Sequence, residues 1–298
     1  MKVVRTITEL RSELKDLKSE RGVDGKIGLV PTMGFLHQGH ASLMRKAKDL
    51  SQIVVISIFV NPIQFGPGED FETYPRNEAQ DLELAEKEGV DLVFIPTVEE
   101  MYPVPTKTII HVSAVTERLC GASRPGHFDG VTTVVSKLFN IVQPDMAFFG
   151  MKDAQQVAVL QQMVNDLNIN VDIVPCPIIR EQDGLALSSR NVYLSAEDRA
   201  QALVLSRSLQ AAKQALESGE ARTAQEVRDV LVSIINQSSH AVIDYTEVLS
   251  FPTLEPYEDH EDLSERNHAT LIALAVKFGK TRLIDNVLIE SKEECSHV

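Results

Sequence analysis

Between Ile27 and Val174 the apolar residues gather in short unbroken runs, separated by longer stretches in which they return every three or four positions. The runs Ile27 to Val30, Ile53 to Val60, Asp91 to Ile95, Met146 to Phe149 and Val171 to Val174 read as strands, and the stretches between them as helices. Ile53 to Val60 is continuous and rich in β-branched residues, the pattern of a parallel strand covered on both faces, and it predicts the centre of a sheet. A first helix is expected from Thr6, where Glu9 completes a capping box ahead of Leu10, Leu14 and Leu17. Others are expected from near His40, with Leu43, Met44 and Ala47 as apolar stripe; through a charged stretch to about Glu88; from Gly130 to Val142; and from Asp153 to Leu167. Strand and helix alternating in this way specify an α/β fold with a mostly parallel, doubly wound sheet.

The texture changes near Ser195. Ala, Gln, Leu and Glu dominate helical sequence through Ala211 and again from Ala221 to Ile235, and strand-like segments follow at Ile243 to Leu249, Thr270 to Val276 and Arg282 to Ile289. Helices followed by strands predict an α+β arrangement. The chain is therefore expected to divide into a larger α/β domain over residues 1–180 and a smaller α+β domain over 181–298.

Composition narrows the partners. At 298 residues, 43% hydrophobic and 24% charged, the chain has ordinary globular content. Its 29 basic residues stand against 43 acidic ones, a net charge of −14 that opposes a broad nucleic-acid surface but leaves room for a local pocket that takes a small anion. The opening residues MKVVRTITELRSELKD lack the apolar core of a signal peptide, and no apolar run approaches a membrane span, so a cytoplasmic protein with no membrane partner is expected. Cys120, Cys176 and Cys295 have neither zinc-site spacing nor the density of a disulfide scaffold and read as incidental thiols.

In an open α/β sheet, ligands sit beyond the carboxyl ends of the strands, so the loops after Val30, Val60, Phe149 and Val174 are expected to meet at one crevice. The first, PTMGFLHQGH from Pro31 to His40, ends in HxGH at a helix start. Two imidazoles three residues apart can face one anion to which the helix N-terminus also presents amide protons. HxGH alone is more often an ordinary surface turn; its strand-and-turn context favours the anion site. The second loop opens with Asn61 and Gln64, neutral amides that recognise hydroxyls and carboxylates by geometry, although Asn-Pro is also a common turn. GMKDAQQ then supplies Lys152, and DGLALSSRN supplies Ser188, Ser189 and Arg190, a set suited to a triphosphate and a departing pyrophosphate. Neither GxxxxGK[ST] nor GxGxxG occurs, which disfavours P-loop and dinucleotide-binding folds.

Read together, PTMGFLHQGH, SIFVNPIQF, YPR, RPGHFDGVTTVVSKLFNIVQPD, FFGMKDAQQ and GLALSSRN, with RLIDN near the end, resemble in order and spacing the pantoate–β-alanine ligase family of the HxGH nucleotidyltransferase superfamily. The likeness is strong from about Thr6 to Leu194 and looser beyond. It implies a Rossmann-like catalytic domain that binds nucleotide and pantoate, with the smaller C-terminal domain covering the active site. It implies ATP contacts at Met33, Gly34, Phe35, Leu36, His37, Gln38, Gly39 and His40, at Gly150, Met151, Lys152 and Asp153, at Ile179, and at Leu187, Ser188, Ser189 and Arg190.

The same resemblance makes His40 the catalytic histidine with His37 beside it, and Lys152 and Arg190 the charges on phosphate. Gln64 and Gln156 match the pantoate-binding glutamines, and Gln64 also a β-alanine contact. Where the family commonly has Glu and Met, this chain has Met151 and Leu187. The implied reaction is ATP-dependent condensation of (R)-pantoate with β-alanine through pantoyl adenylate, with Mg²⁺ accompanying ATP and the chain working as a homodimer. Two rivals remain at this point: a related nucleotidyltransferase that makes no amide, and an ATP-binding regulator without turnover.

Overall fold

The computed structural model describes residues 1–21 and 25–291. Its contacts divide the chain into two units, one of Met1–Met151 and Val159–Ile179, the other of Lys152–Ala158 and Arg180–Val298. Residues 152–158 group with the C-terminal unit, within which the Asn286 side-chain amide donates to the carbonyl of Lys152 at 3.0 Å.

In the first unit the order is β1 (Lys2–Val4), α1 (Ile7–Arg21), β2 (Ile27–Thr32), α2 (Gln38–Leu50), β3 (Ile53–Ile58), α3 (Glu78–Lys87) and β4 (Leu92–Phe94). The short helices α4 (Val98–Met101) and α5 (Leu119–Ser123) follow, then α6 (His127–Val142), β5 (Met146–Gly150), α7 (Ala154–Asp166) and β6 (Asp172–Cys176). The strands form one parallel sheet in the order β1-β4-β3-β2-β5-β6, with β3 buried along its whole length. Because β2, β3 and β5 are parallel neighbours, their carboxyl ends and the loops that follow share one sheet edge.

Local chemistry accounts for the helix starts. Thr6 and Glu9 form the reciprocal cap of α1, the Thr6 amide donating to Glu9 Oε2 at 3.0 Å and the Glu9 amide to Thr6 Oγ1 at 3.2 Å. Helix α6 opens at His127, one turn before the expected Gly130, because Gly126 is the residue that leaves helical space, at φ +81°. Strand β1 has no counterpart in the apolar pattern. Three residues with only Val4 buried are too few to show a period, and the strand exists by pairing with Leu92–Phe94.

The second unit carries α8 (Ala196–Gln201), α9 (Val204–Ser218) and α10 (Ala224–Ile235), then the antiparallel strands β7 (Ala241–Phe251), β8 (Ala269–Phe278) and β9 (Thr281–Ile289) in that order. Leu209, Ala212, Leu216, Val227 and Leu231 from the helices pack with Val248, Ile272, Leu274 and Val276 from the sheet. The helical run expected through Ala211 is two helices, the second continuing to Ser218, where Gly219 at φ +78° closes it. Cys120 and Cys176 are buried and form no disulfide among the described residues, and burial pushes the Cys176 thiol up to about 11, away from thiolate chemistry. Cys295 lies outside the described residues.

Candidate active site

The turn after β2 is built to place two histidines. Gly34 sits at φ +84°, where an added Cβ would lie 2.9 Å from Ile58 Cγ2 and 3.0 Å from Asp81 Oδ2, so neither the backbone angle nor the space admits another residue. Phe35 follows at φ +51°. Asp81, on α3 and 1% exposed, locks this conformation: its Oδ2 accepts the Phe35 amide at 3.0 Å and its Oδ1 the Leu36 amide at 2.6 Å. Burial raises the Asp81 carboxyl above its ordinary value, against the pull of these two amides.

His37 then N-caps α2. Its Nδ1 accepts the Gly39 amide at 3.1 Å, while His40 Nδ1 accepts the His37 amide at 3.2 Å. A ring nitrogen that accepts an amide proton carries its lone pair there, so the neutral tautomer of both rings bears hydrogen on Nε2. The rings lie 4.1 Å apart, centroid to centroid, at the positive end of α2. Two Nε2–H donors at a helix N-terminus can stabilise charge on a phosphoryl oxygen. The helix begins at Gln38, two residues before the sequence pattern places it, because the cap is an imidazole and not a short polar side chain.

The loop after β3 presents Gln64 in a fixed orientation. Tyr102 Oη donates to Asn61 Oδ1 at 2.8 Å, and burial pushes the Tyr102 phenol up to about 12, so it stays a donor. Asn61 Nδ2 donates to Gln64 Oε1 and to the Gly130 carbonyl, both at 3.1 Å. With its oxygen taken, Gln64 turns Nε2 toward Met33 Sδ at 3.1 Å, a weak acceptor that leaves this buried donor capacity for a ligand oxygen. The same contact joins the loops after β2 and β3. Behind them α6 comes so close that a Cβ on Gly130 would lie 2.5 Å from Gln64 Cα and 2.5 Å from the Ile63 carbonyl oxygen.

Gly150 ends β5 and Met151 follows it, both partly buried; Ile179 closes the first unit. The remaining expected residues belong to the second unit and are arranged among themselves. Lys152 Nζ pairs with Asp153 Oδ2 at 3.0 Å, and Gln156 stands on the first turn of α7. Ser188 caps the 3-10 turn Ser189–Tyr193, its Oγ accepting the Arg190 amide at 3.3 Å, and Leu187 precedes it. One buried carboxylate organises the neighbourhood: Asp285 receives Arg180 Nη1 at 2.6 Å and Nη2 at 2.9 Å, and accepts the Asn286 amide at 2.8 Å. Asn286 Nδ2 in turn donates to the Lys152 carbonyl at 3.0 Å, which gives the RLIDN segment a structural task.

Asp81 and Arg180 are supports that no motif in the sequence singles out, whereas Asp285 and Asn286 lie in the RLIDN segment, to which the sequence alone assigns no role. The only trace of Asp81 is its spacing, four residues before buried Ala85 on the inner face of α3.

The first unit is a six-stranded parallel sheet flanked by helices, a Rossmann-like arrangement whose β2–α2 turn carries HxGH. Residues 2–288 match the sequence profile described as Pantoate-beta-alanine ligase. The chain is 53% identical over 290 residues to the pantothenate synthetase of Acetivibrio thermocellus, covering 97% of this chain and 100% of that one. It is 54% identical over 291 residues to the pantothenate synthetase of Caldicellulosiruptor saccharolyticus, again covering 97% and 100%. The crystal structure of pantothenate synthetase from Thermus thermophilus superposes with a TM-score of 0.87 at 43% identity, covering 96% of this chain and 99% of that one. The pantoate-β-alanine ligase of Francisella tularensis, complexed with β,γ ATP and β-alanine, gives 0.77 at 35% identity, covering 97% of both. The chain belongs to the pantoate–β-alanine ligase family.

Proposed function

We propose that this chain condenses (R)-pantoate with β-alanine at the expense of ATP, forming pantothenate, AMP and pyrophosphate through pantoyl adenylate. The observation that carries the proposal is the family match over residues 2–288 together with an HxGH turn in which the Nδ1 of each imidazole accepts a backbone amide. A pantoate carboxylate oxygen attacks the α-phosphorus, and the bond to the bridging oxygen breaks with its electrons leaving on pyrophosphate. The β-alanine amine then attacks the acyl carbon, AMP departs with the bonding electrons, and the amine proton is released.

His37 and His40 donate to phosphate oxygens as charge builds on them, a task for which each well-placed donor contributes about 10²-fold or more. The ATP contacts are Met33 to His40, Gly150 to Asp153, Ile179 and Leu187 to Arg190, with Lys152 and Arg190 offsetting phosphate charge. Gln64 and Gln156 read pantoate, and Gln64 also meets β-alanine. No enzyme nucleophile is needed; alignment and charge neutralisation supply the rate.

Mg²⁺ enters with ATP. Among the described residues no group of three or more His, Cys, Asp or Glu is placed to hold a metal, and an ion carried mainly by substrate phosphates fits that donor set. When bound, it neutralises part of the triphosphate charge. The homodimer and the cytoplasmic location follow from the same family reading, and no nucleic-acid partner is included, in keeping with a net charge of −14. Among the described residues no helix is long and apolar enough to cross a membrane.

The decisive experiment incubates the purified chain with ATP, Mg²⁺ and pantoate, with and without β-alanine. Pantoyl adenylate and pyrophosphate are expected without the amine, and AMP and pantothenate with it. Pyrophosphate release without amide would mark a simple nucleotidyltransferase, and ATP binding without turnover a regulator.

A further inference from the structure

Helix α6 does more than back the Gln64 turn. His127 Nδ1 lies 2.8 Å from the Gln64 carbonyl oxygen, and His127 Nε2 lies 3.0 Å from Arg124 Nη1. A guanidinium has donors and no acceptor, so the ring nitrogen facing it must present a lone pair. The neutral ring then carries its hydrogen on Nδ1 and gives it to the Gln64 carbonyl. Arg124 is itself clamped: Nε donates to Glu69 Oε1 and Nη2 to Glu69 Oε2, both at 2.7 Å, and Oε2 also accepts the Gly66 amide at 3.1 Å. Burial acts to raise the Glu69 carboxyl, but the Arg124 hydrogen bonds and charge and the Gly66 amide outweigh it and hold the group below its ordinary value, ionised.

The turn itself is weakly tied. Its backbone bonds, Gln64 amide to Asn61 carbonyl and Phe65 amide to Pro62 carbonyl, are 3.4 and 3.3 Å long, and the 2.8 Å bond from His127 is shorter than either. A side-chain amide that reads a substrate oxygen must be held to within roughly 0.5 Å. We propose that Glu69, Arg124 and His127 form a positioning relay, ending in the His127 Nδ1–H bond to the Gln64 carbonyl, that sets the Gln64 amide for pantoate. The inference rests on the assignment of Gln64 to that substrate.

The test uses the purified full chain and compares His127→Asn with His127→Leu. The two replacements are nearly isosteric, and only Asn retains a donor near the Nδ1 position. Steady-state KM values for pantoate and for ATP are measured in both, in Gln64→Ala, and in the double variant Gln64→Ala/His127→Leu. His127→Leu is expected to raise the pantoate KM at least about 5-fold with the ATP KM within about 2-fold of wild type. His127→Asn should recover most of that loss. In the double variant the His127 effect should vanish, because the side chain it positions is gone. A normal pantoate KM in His127→Leu beside a raised one in Gln64→Ala overturns the relay, as does an effect that simply adds in the double variant. A normal pantoate KM in Gln64→Ala removes the assignment beneath the relay, and the relay with it. If His127→Leu does not fold, His127→Asn decides alone: near-normal pantoate KM supports the relay and a raised one overturns it.

Discussion

Substituting Gly130 by alanine separates stability from substrate placement. The new Cβ would stand 2.5 Å from Gln64 Cα, 2.5 Å from the Ile63 carbonyl oxygen and 2.7 Å from the Gln64 nitrogen. Ordinary carbon contacts are about 3.5 to 4.0 Å, so the turn or α6 must yield by roughly 1 Å, and all three of these neighbours are backbone atoms that have no rotamer to change. Overpacking of this kind costs roughly 1–3 kcal/mol. Alanine in a helix interior returns about 1 kcal/mol relative to glycine, so the net loss is about 0–2 kcal/mol and the fold survives. Catalysis is more sensitive, since a displacement of about 1 Å costs about 10²-fold. Urea unfolding and initial-rate kinetics on the same preparation should show a modest stability change beside a fall of about 10²-fold in kcat/KM for pantoate. Gly66→Ala is the control, because its added methyl meets nothing closer than 3.9 Å. Wild-type pantoate kinetics in Gly130→Ala would refute the claim that this contact sets Gln64.

His40→Ala should slow pantoyl adenylate formation by at least about 10²-fold with unchanged circular dichroism, which rapid-quench measurement of pyrophosphate would check. Lys152→Ala and Arg190→Ala should impair adenylation far more than the amide step; supplying preformed pantoyl adenylate with β-alanine tests this, and equal defects in both steps would count against it. Asp81→Asn leaves one oxygen for two amides and should cost about 1–3 kcal/mol. Because the Asp81 carboxyl is raised on folding, its protonation-linked stability is complete below the unfolded value of 3.8 and is lost as pH rises through the folded value. The stability advantage of wild type over Asp81→Asn should therefore shrink with rising pH above 3.8, and a gap that widens would contradict the burial argument.

The parallel sheet was legible because buried strands such as Ile53–Ile58 are continuous apolar runs that no other local structure explains as well. His37, His40, Asn61 and Gln64 were legible as motif positions at strand ends. Asp81 was not, and His127 stood inside the RPGHFDG block without a legible role, since Asp81 acts across 46 residues on Phe35 and His127 across 63 on Gln64, and a local pattern carries no record of partners so far away. Gly130 misled the helix start for a related reason: glycine breaks helices in isolation, whereas here it lies inside α6 to let two backbones approach. Strand β1 escaped because pairing, not periodicity, makes it.

A polypeptide stopped at residue 180 would contain the whole HxGH turn and Lys152, yet it would lack Asn286, 134 positions away, whose amide holds the Lys152 carbonyl. The C-terminal third is therefore not a cassette that can be exchanged between relatives at that junction. A chimaera joined there sets the Lys152 segment of one parent against the last strand of another, and it inherits a Lys152 whose backbone anchor comes from elsewhere. Grafting residues 152–158 together with 180–298 keeps anchor and lysine from the same parent, at the cost of two further seams, the later one inside helix α7.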